Sequence, residues 1–238
     1  YHILRTKFRR NLTSIDPYNS WRTEPTQLND INFFNWFDSV KNIEELKIKA
    51  SNDFEYAVSS KIPIDKTKTI LEIGFGGGRL SIEACKLSKF YIGIDIHENF
   101  KSVENYISSN GFKNFQLYHF NKLKNISSFD LAYSFIVIQH FSKLKILEDY
   151  LDFLNLKLNP NGSVILWYAK LKTKIFGDFY SVPPEKFRKR ECSLFIHKHR
   201  MEYLIESRGF KIIEHSIDNK KDGNKIMSGQ SYIIFTKK

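Results

Sequence analysis

The chain has 238 residues, of which 42% are hydrophobic and 15% aromatic, and carries a formal net charge of +11. That length suits one large domain with a proper core, or at most two small ones, and the composition excludes a disordered chain. Its apolar runs fall far short of the roughly 20 residues that a membrane helix needs, and Cys85 and Cys192 stand far apart without zinc or disulfide-framework spacing. No metal site and no membrane span are therefore expected, and a reducing cytoplasm is the expected setting. The positive balance favours anionic partners: nucleic acid, a membrane surface or a phosphorylated substrate. The codons of an AT-rich genome, which enrich Lys, Asn and Ile together, would also produce part of it.

Residues 1–28 are polar and irregular, with Pro17 and Pro25, and read as an arm. In residues 29–60, NDINFFNWFDSVKNIEELKIKASNDFEYAVSS, apolar residues recur at helical spacing and predict two helices. Together, residues 1–60 are expected to form an arm and helical cap, ahead of one domain over 61–238. Beyond the break at Pro63, strands and helices alternate: KTILEI, then helix RLSIEACKLS; KFYIGID, then helix HENFKSVENYISSN; NFQLYHF; and FDLAYSFIVI, then helix SKLKILEDYLDFLNLKL, then SVILWYA. Alternation at this pitch predicts an α/β fold with a mostly parallel sheet and helices on both faces. The tail departs from it. After helix HKHRMEYLIESRGF, the runs KIIEHSI and SYIIFTKK are separated by a polar loop too short for a helical crossover, so they are expected to pair antiparallel. Residues 170–196 form a long connection, the kind that more often carries function than not, and are expected to act as a lid.

The stretch ILEIGFGGGRL at 70–80 ends a buried strand in glycines. Strand, glycine loop and helix is the arrangement by which α/β sheets bind nucleotides. The nicotinamide fingerprint Gly-x-Gly-x-x-Gly fails, because Arg79 stands at its third glycine. Tyr168 and Lys172 reproduce the Tyr-x-x-x-Lys spacing of short-chain reductases, but Tyr168 ends a strand where that pair needs a helix. What fits is acid-x-Gly-x-Gly-x-Gly, as Glu72, Gly74, Gly76 and Gly78. With YIGIDI, FDLAYSFIVIQHF and the terminal hairpin, residues 65–238 resemble the class I S-adenosylmethionine-dependent methyltransferases. The resemblance implies a Rossmann-like sheet with a reversed C-terminal strand, and S-adenosylmethionine as cofactor. It places Gly74, Gly76 and Gly78 against the cofactor's methionine part, with Glu72 in the network around its amino group. Asp95 would accept from the ribose hydroxyls, Ile96 would cover an adenine face, and Asn121 would meet the adenine edge where the family's usual acid is absent.

The residues after strand four bear on the acceptor. Family members that methylate base amino groups carry (Asp/Asn)-Pro-Pro-aromatic there, whereas this chain has Ile138-Gln139-His140-Phe141. Base-carbon methylation needs a cysteine nucleophile after that strand, and none is present. His140 either serves as general base for a hydroxyl acceptor, which its ordinary pKa near 6.5 suits, or only caps the next helix and closes the pocket. Residues 170–200 interleave Lys and Arg with Phe and Tyr, suiting an anionic acceptor held by Arg forks and ring stacking, or else forming a plain solvated loop. Gln139, Tyr168, Arg188 and Arg190 are the candidate substrate contacts. The expected activity is O-methylation of a small-molecule or glycan acceptor, such as a phosphorylated sugar. The alternatives are an RNA ribose methyltransferase, which the charge favours, and a non-catalytic protein with a retained cofactor pocket.

Overall fold

The structure, a computed structural model, describes residues 21–171, 177–183, 186, 192–216 and 229–237. Two helices open it, α1 (Asp30–Asp38) and α2 (Ile43–Phe54). Asn42 caps α2 by accepting the Glu45 N–H at 2.8 Å, satisfying one of the donors left open at a helix start. A wider π-turn, Glu55–Ser59, continues α2, and its Ala57 carbonyl accepts the Trp167 indole N–H at 3.0 Å. That bond ties the cap to the middle of the sheet.

The alternating region follows as β1 (Thr69–Ile73), α3 (Ser81–Leu87), β2 (Phe90–Asp95), α4 (Phe100–Ser109), β3 (Phe115–His119), β4 (Phe129–Ser134), α5 (Leu144–Lys157) and β5 (Leu158–Lys170). A small hairpin of β6 (Phe179–Ser181) and β7 (Leu194–Ile196) precedes α6 (Lys198–Glu206), β8 (Phe210–His215) and β9 (Gln230–Lys237). Strands β3, β2, β1, β4 and β5 lie side by side in that order and are all parallel. β9 joins β5 antiparallel and β8 pairs antiparallel with β9, so the sheet is mostly parallel with a reversed C-terminal strand, as expected.

Because successive strand residues face opposite sides, the sheet has two cores. On one face Leu71, Ile73, Ile92, Leu166 and Tyr168 pack under α5 and α6; on the other Ile70, Tyr91, Tyr133, Ile165 and Trp167 pack under the cap, α3 and α4. Strand four is shorter than its apolar run predicts. It ends at Ser134, and the chain turns out of the sheet at Ile136, whose φ is 59°. Phe135, Ile136 and Val137 wall a cavity and Ile138 packs into the core, so the run is apolar without continuing the ladder. The 170–196 connection is also partly regular: β7 pairs parallel with the end of β5 (Ala169 opposite Phe195), and β6 pairs with β7. The added hairpin therefore rises beyond the point where β4 has ended.

Candidate active site

The carboxyl ends of β1, β2 and β4 open into a cavity of about 290 Å³. Its floor is the glycine loop. Gly74 and Gly76 have φ of 80° and 53°, a region that L side chains rarely adopt. A Cβ on Gly74 would stand 2.5 Å from the methyls of Val137, and one on Gly76 would stand 3.0 Å from the ring of Phe37 in α1. The loop is thus pressed between the turn after β4 and the N-terminal cap, which the sequence did not disclose.

Asp95 and His97 grip Gly76 from both sides. Asp95, 9% exposed, accepts the Gly76 N–H through Oδ2 at 2.7 Å and the Ile96 N–H through Oδ1 at 2.6 Å. His97, fully buried among Phe33, Phe37, Phe75 and Phe100, lies 2.9 Å through Nε2 from the Gly76 carbonyl. A carboxylate oxygen has two lone pairs, so Asp95 retains acceptor capacity toward the cavity it lines. Asp95→Ala is expected to weaken binding of S-adenosylhomocysteine by about 1.5–3 kcal/mol, the range for hydrogen bonds to a charged group. Titration calorimetry checks this, and an unchanged affinity would remove Asp95 from the cofactor contacts.

Glu72 lies beneath the loop with 3% exposure, its Oε2 accepting from the hydroxyls of Tyr91 at 2.6 Å and Tyr133 at 2.9 Å. Burial pushes its carboxyl up to about 8, against the opposing pull of the two tyrosine bonds. The tyrosines are in turn held well above their ordinary values by burial, and by the Glu72 charge that would otherwise face them.

His140 ends a short 3₁₀ turn, Ile138–His140, on the opposite wall. The Gln139 side-chain amide donates to His140 Nε2 at 3.3 Å, and the indole of Trp21 packs on the imidazole with ring centroids 4.6 Å apart. Gln139 is itself 7% exposed, and its Oε1 has no hydrogen-bond partner among the described residues. Ser193 fixes the turn from outside. It donates to the Gln139 carbonyl through its N–H at 2.6 Å and its Oγ at 3.2 Å, and its Oγ also lies 3.0 Å from the Phe141 carbonyl.

Of the residues singled out from the sequence, Glu72, Gly74, Gly76, Asp95, Ile96, Gln139 and His140 meet around this cavity. Gly78 lies one turn behind, with φ of 80° and its Cβ position 2.6 Å from Val103 of α4. Two expectations need correction. Asn121 borders a separate depression with Glu98, Tyr118 and Lys122, because the 3₁₀ helix Phe120–Asn125 carries it away from the cleft. Tyr168 is fully buried on the α5 and α6 face, where its hydroxyl lies 2.6 Å from His215 Nε2, and His215 Nδ1 lies 3.0 Å from Glu202. It contacts the core and not the cleft. Arg188 and Arg190 lie outside the described residues.

The cap supplies what the motifs missed. Trp21, Phe37 and Asp38 line the cavity, as do Arg79, Phe135 and Tyr150. Arg79 Nε stands 2.5 Å from Asp38 Oδ1, and its NH1 is paired with Asp53 of α2. One signal was available: Asp38 closes a helix at its negative end, where a carboxylate is electrostatically disfavoured. Among the described residues no group of three or more His, Cys, Asp and Glu is placed to hold a metal.

Residues 71–166 match the family model described as a methyltransferase domain. No curated protein matches the chain. The fold is similar to that of the N-methyltransferase NodS from Bradyrhizobium japonicum, solved with S-adenosyl-L-homocysteine, at 14% identity and a TM-score of 0.60 over 94% of this chain and 99% of that one. It is likewise similar to an S-adenosylmethionine-dependent methyltransferase from Mesorhizobium loti, at 12% identity and a TM-score of 0.61 over 79% of this chain and all of that one (100%). A third, from Clostridium acetobutylicum, gives 12% identity and a TM-score of 0.56 over 86% of this chain and 96% of that one.

The residues present fit S-adenosylmethionine. A bare glycine backbone gives room for its amino-acid part, and Asp95 has acceptor capacity for hydroxyls. Two buried oxygens of the wall, Asp38 Oδ2 and Gln139 Oε1, lack a donor among the described residues, and a bound molecule carrying N–H or O–H groups would supply one.

Proposed function

We propose that the chain is a class I S-adenosylmethionine-dependent methyltransferase that O-methylates a small-molecule or glycan acceptor, anionic in character, with a phosphorylated sugar as the leading class. The observation that carries the reading is the His140–Gln139 pair. The pair places an imidazole nitrogen at the cavity wall beside an amide that can donate to it, and a neutral ring there carries the lone pair that proton removal needs. Bound S-adenosylmethionine supplies an electrophilic methyl with its leaving group built in. The chain's own task is alignment and proton removal. The acceptor hydroxyl displaces the Gln139 amide from His140 Nε2 and gives up its proton there, while Trp21 and Phe37 of the cap keep water from the reacting atoms. The aromatic wall of Trp21, Phe135, Phe141 and Tyr150 suits the apolar face of a sugar ring.

Residues 170–196 are proposed as the lid that holds the acceptor's charge, with the cytoplasm as the site of action. Support comes from the basic run of the sequence and from β6 and β7, which stand beside the His140 turn. Neutralising Arg188, Lys189 and Arg190 together is expected to raise the acceptor KM strongly and leave cofactor affinity unchanged. Steady-state kinetics on phosphosugars, neutral glycans and RNA is the test. A shallow dependence of log KM on log salt fits one or two contacted charges, whereas a steep linear slope would transfer the reading to RNA. An unchanged KM for every working acceptor would reduce the insertion to a solvated loop.

A further inference from the structure

We propose that Asp38, contributed by the N-terminal cap, is the anionic partner of the cofactor's α-ammonium group. Asp38 is 7% exposed and lines the cavity beside Gly76, Gly77 and Arg79. One of its oxygens, Oδ1, is engaged by Arg79; the other, Oδ2, is buried and without a hydrogen-bond partner among the described residues. That second oxygen lies 3.4 Å from where a Cβ on Gly77 would stand, directly over the loop that takes the amino-acid part. A carboxylate oxygen stripped of water and left without a donor is strongly destabilising, and the helix end behind it adds to the penalty. A cationic donor in the cavity removes both objections.

The choice of the ammonium follows from the neighbours. An α-amino acid is a zwitterion whose two charges lie a few bonds apart. Arg79 is already shared between Asp38 and Asp53, so what this cluster leaves open to the zwitterion is an acid oxygen, Asp38 Oδ2. Glu72, the acid that the glycine motif offers for the same task, is a poorer match. Its Oε2 already accepts from two tyrosine hydroxyls, and burial pushes its carboxyl toward the neutral form. The charge that recognises the amino group therefore comes from outside the family-matched segment, on a helix that also presses Phe37 against Gly76. Cofactor binding and cap docking become one event.

The test is calorimetry on the full chain with three ligands: S-adenosylhomocysteine, its analogue lacking the α-amino group, and 5′-deoxy-5′-methylthioadenosine, which lacks the whole amino acid. Asp38→Asn keeps the side-chain shape and removes the charge. It is expected to weaken S-adenosylhomocysteine binding roughly 10- to 150-fold, the span for a hydrogen bond to a charged group. The deaminated analogue and methylthioadenosine should bind the variant as they bind the wild type. An equal loss for all three ligands would assign Asp38 to cap packing alone, and no loss would also overturn the proposal. A wild-type chain without affinity for S-adenosylhomocysteine would overturn the cofactor and this assignment with it. Should Asp38→Asn fail to fold, the wild-type protein still decides. The carboxyl ¹³C resonance of Asp38 should move with S-adenosylhomocysteine and stay in place with the deaminated analogue; equal movement with both refutes it.

Discussion

Replacement of His140 by alanine is expected to lower turnover by about 10²–10⁴, the range for loss of a positioned general base. Affinity for S-adenosylhomocysteine should be nearly unaffected, because the glycine loop, Asp95 and Ile96 reach the cavity from other strands. The wild-type rate should fall toward acid as the imidazole gains a proton and loses its basic lone pair. The variant should lack that acidic limb. Single-turnover rates across pH 5–9, with calorimetry alongside, separate the two effects. A variant within a few-fold of wild type would leave His140 as the packing partner of Trp21.

Glu72 should make the fold's stability fall as pH rises. Its folded carboxyl is pushed up from the ordinary 4.5 to about 8 by burial. Between those values the native state keeps a proton that the unfolded chain has released, so the native state binds more protons and stability decreases with increasing pH. The penalty is absent below about pH 4.5, grows through the window, and is complete above about pH 8. Its upper limit is about 4–5 kcal/mol, since each pH unit between the two values contributes about 1.4 kcal/mol. Glu72→Gln retains an oxygen for Tyr91 and Tyr133 to donate to and removes the titration. Denaturant midpoints should therefore converge for the two proteins near pH 4.5 and diverge in favour of the variant toward pH 8. Parallel profiles would mean that Glu72 is ionised throughout and that burial does not govern it.

The sheet was legible because its signals are local. Buried parallel strands announce themselves as short apolar runs, and the loop between β8 and β9 is too brief for anything but reversal. The glycine loop and Asp95 were legible for the same reason, since they sit on consecutive strand ends where one motif spans them. Tyr168 shows where such reasoning fails. A one-residue difference in strand parity sends Trp167 to the cap face and Tyr168 to the α6 face, and apolar neighbours on both sides of a buried strand leave parity unmarked. Strand four was overextended because a cavity wall and a ladder demand the same residue types. Asp38, Arg79 and Trp21 were beyond reach for a different reason. Their meeting depends on how α1 lies across the loop, a contact between segments about 40 residues apart in the chain that no spacing encodes. In the sequence Arg79 was visible only as the residue that broke a dinucleotide fingerprint.

The tie between Val182 and Ser193 turns the insertion into a replaceable cartridge. Val182 donates its N–H to the Ser193 carbonyl at 2.7 Å, Tyr180 pairs with Phe195, and Ser193 holds the Gln139 turn. The two ends of the intervening segment are therefore clamped together independently of what runs between them. Closing a loop over such a clamp becomes harder by only about 0.6 kcal/mol for each doubling of its length. If the insertion holds the acceptor as proposed, its contacts can be rewritten there, in length and in charge, while His140 keeps its place. On that proposal the choice of substrate is separated from the chemistry performed on it, and the boundary falls at a buried serine, Ser193.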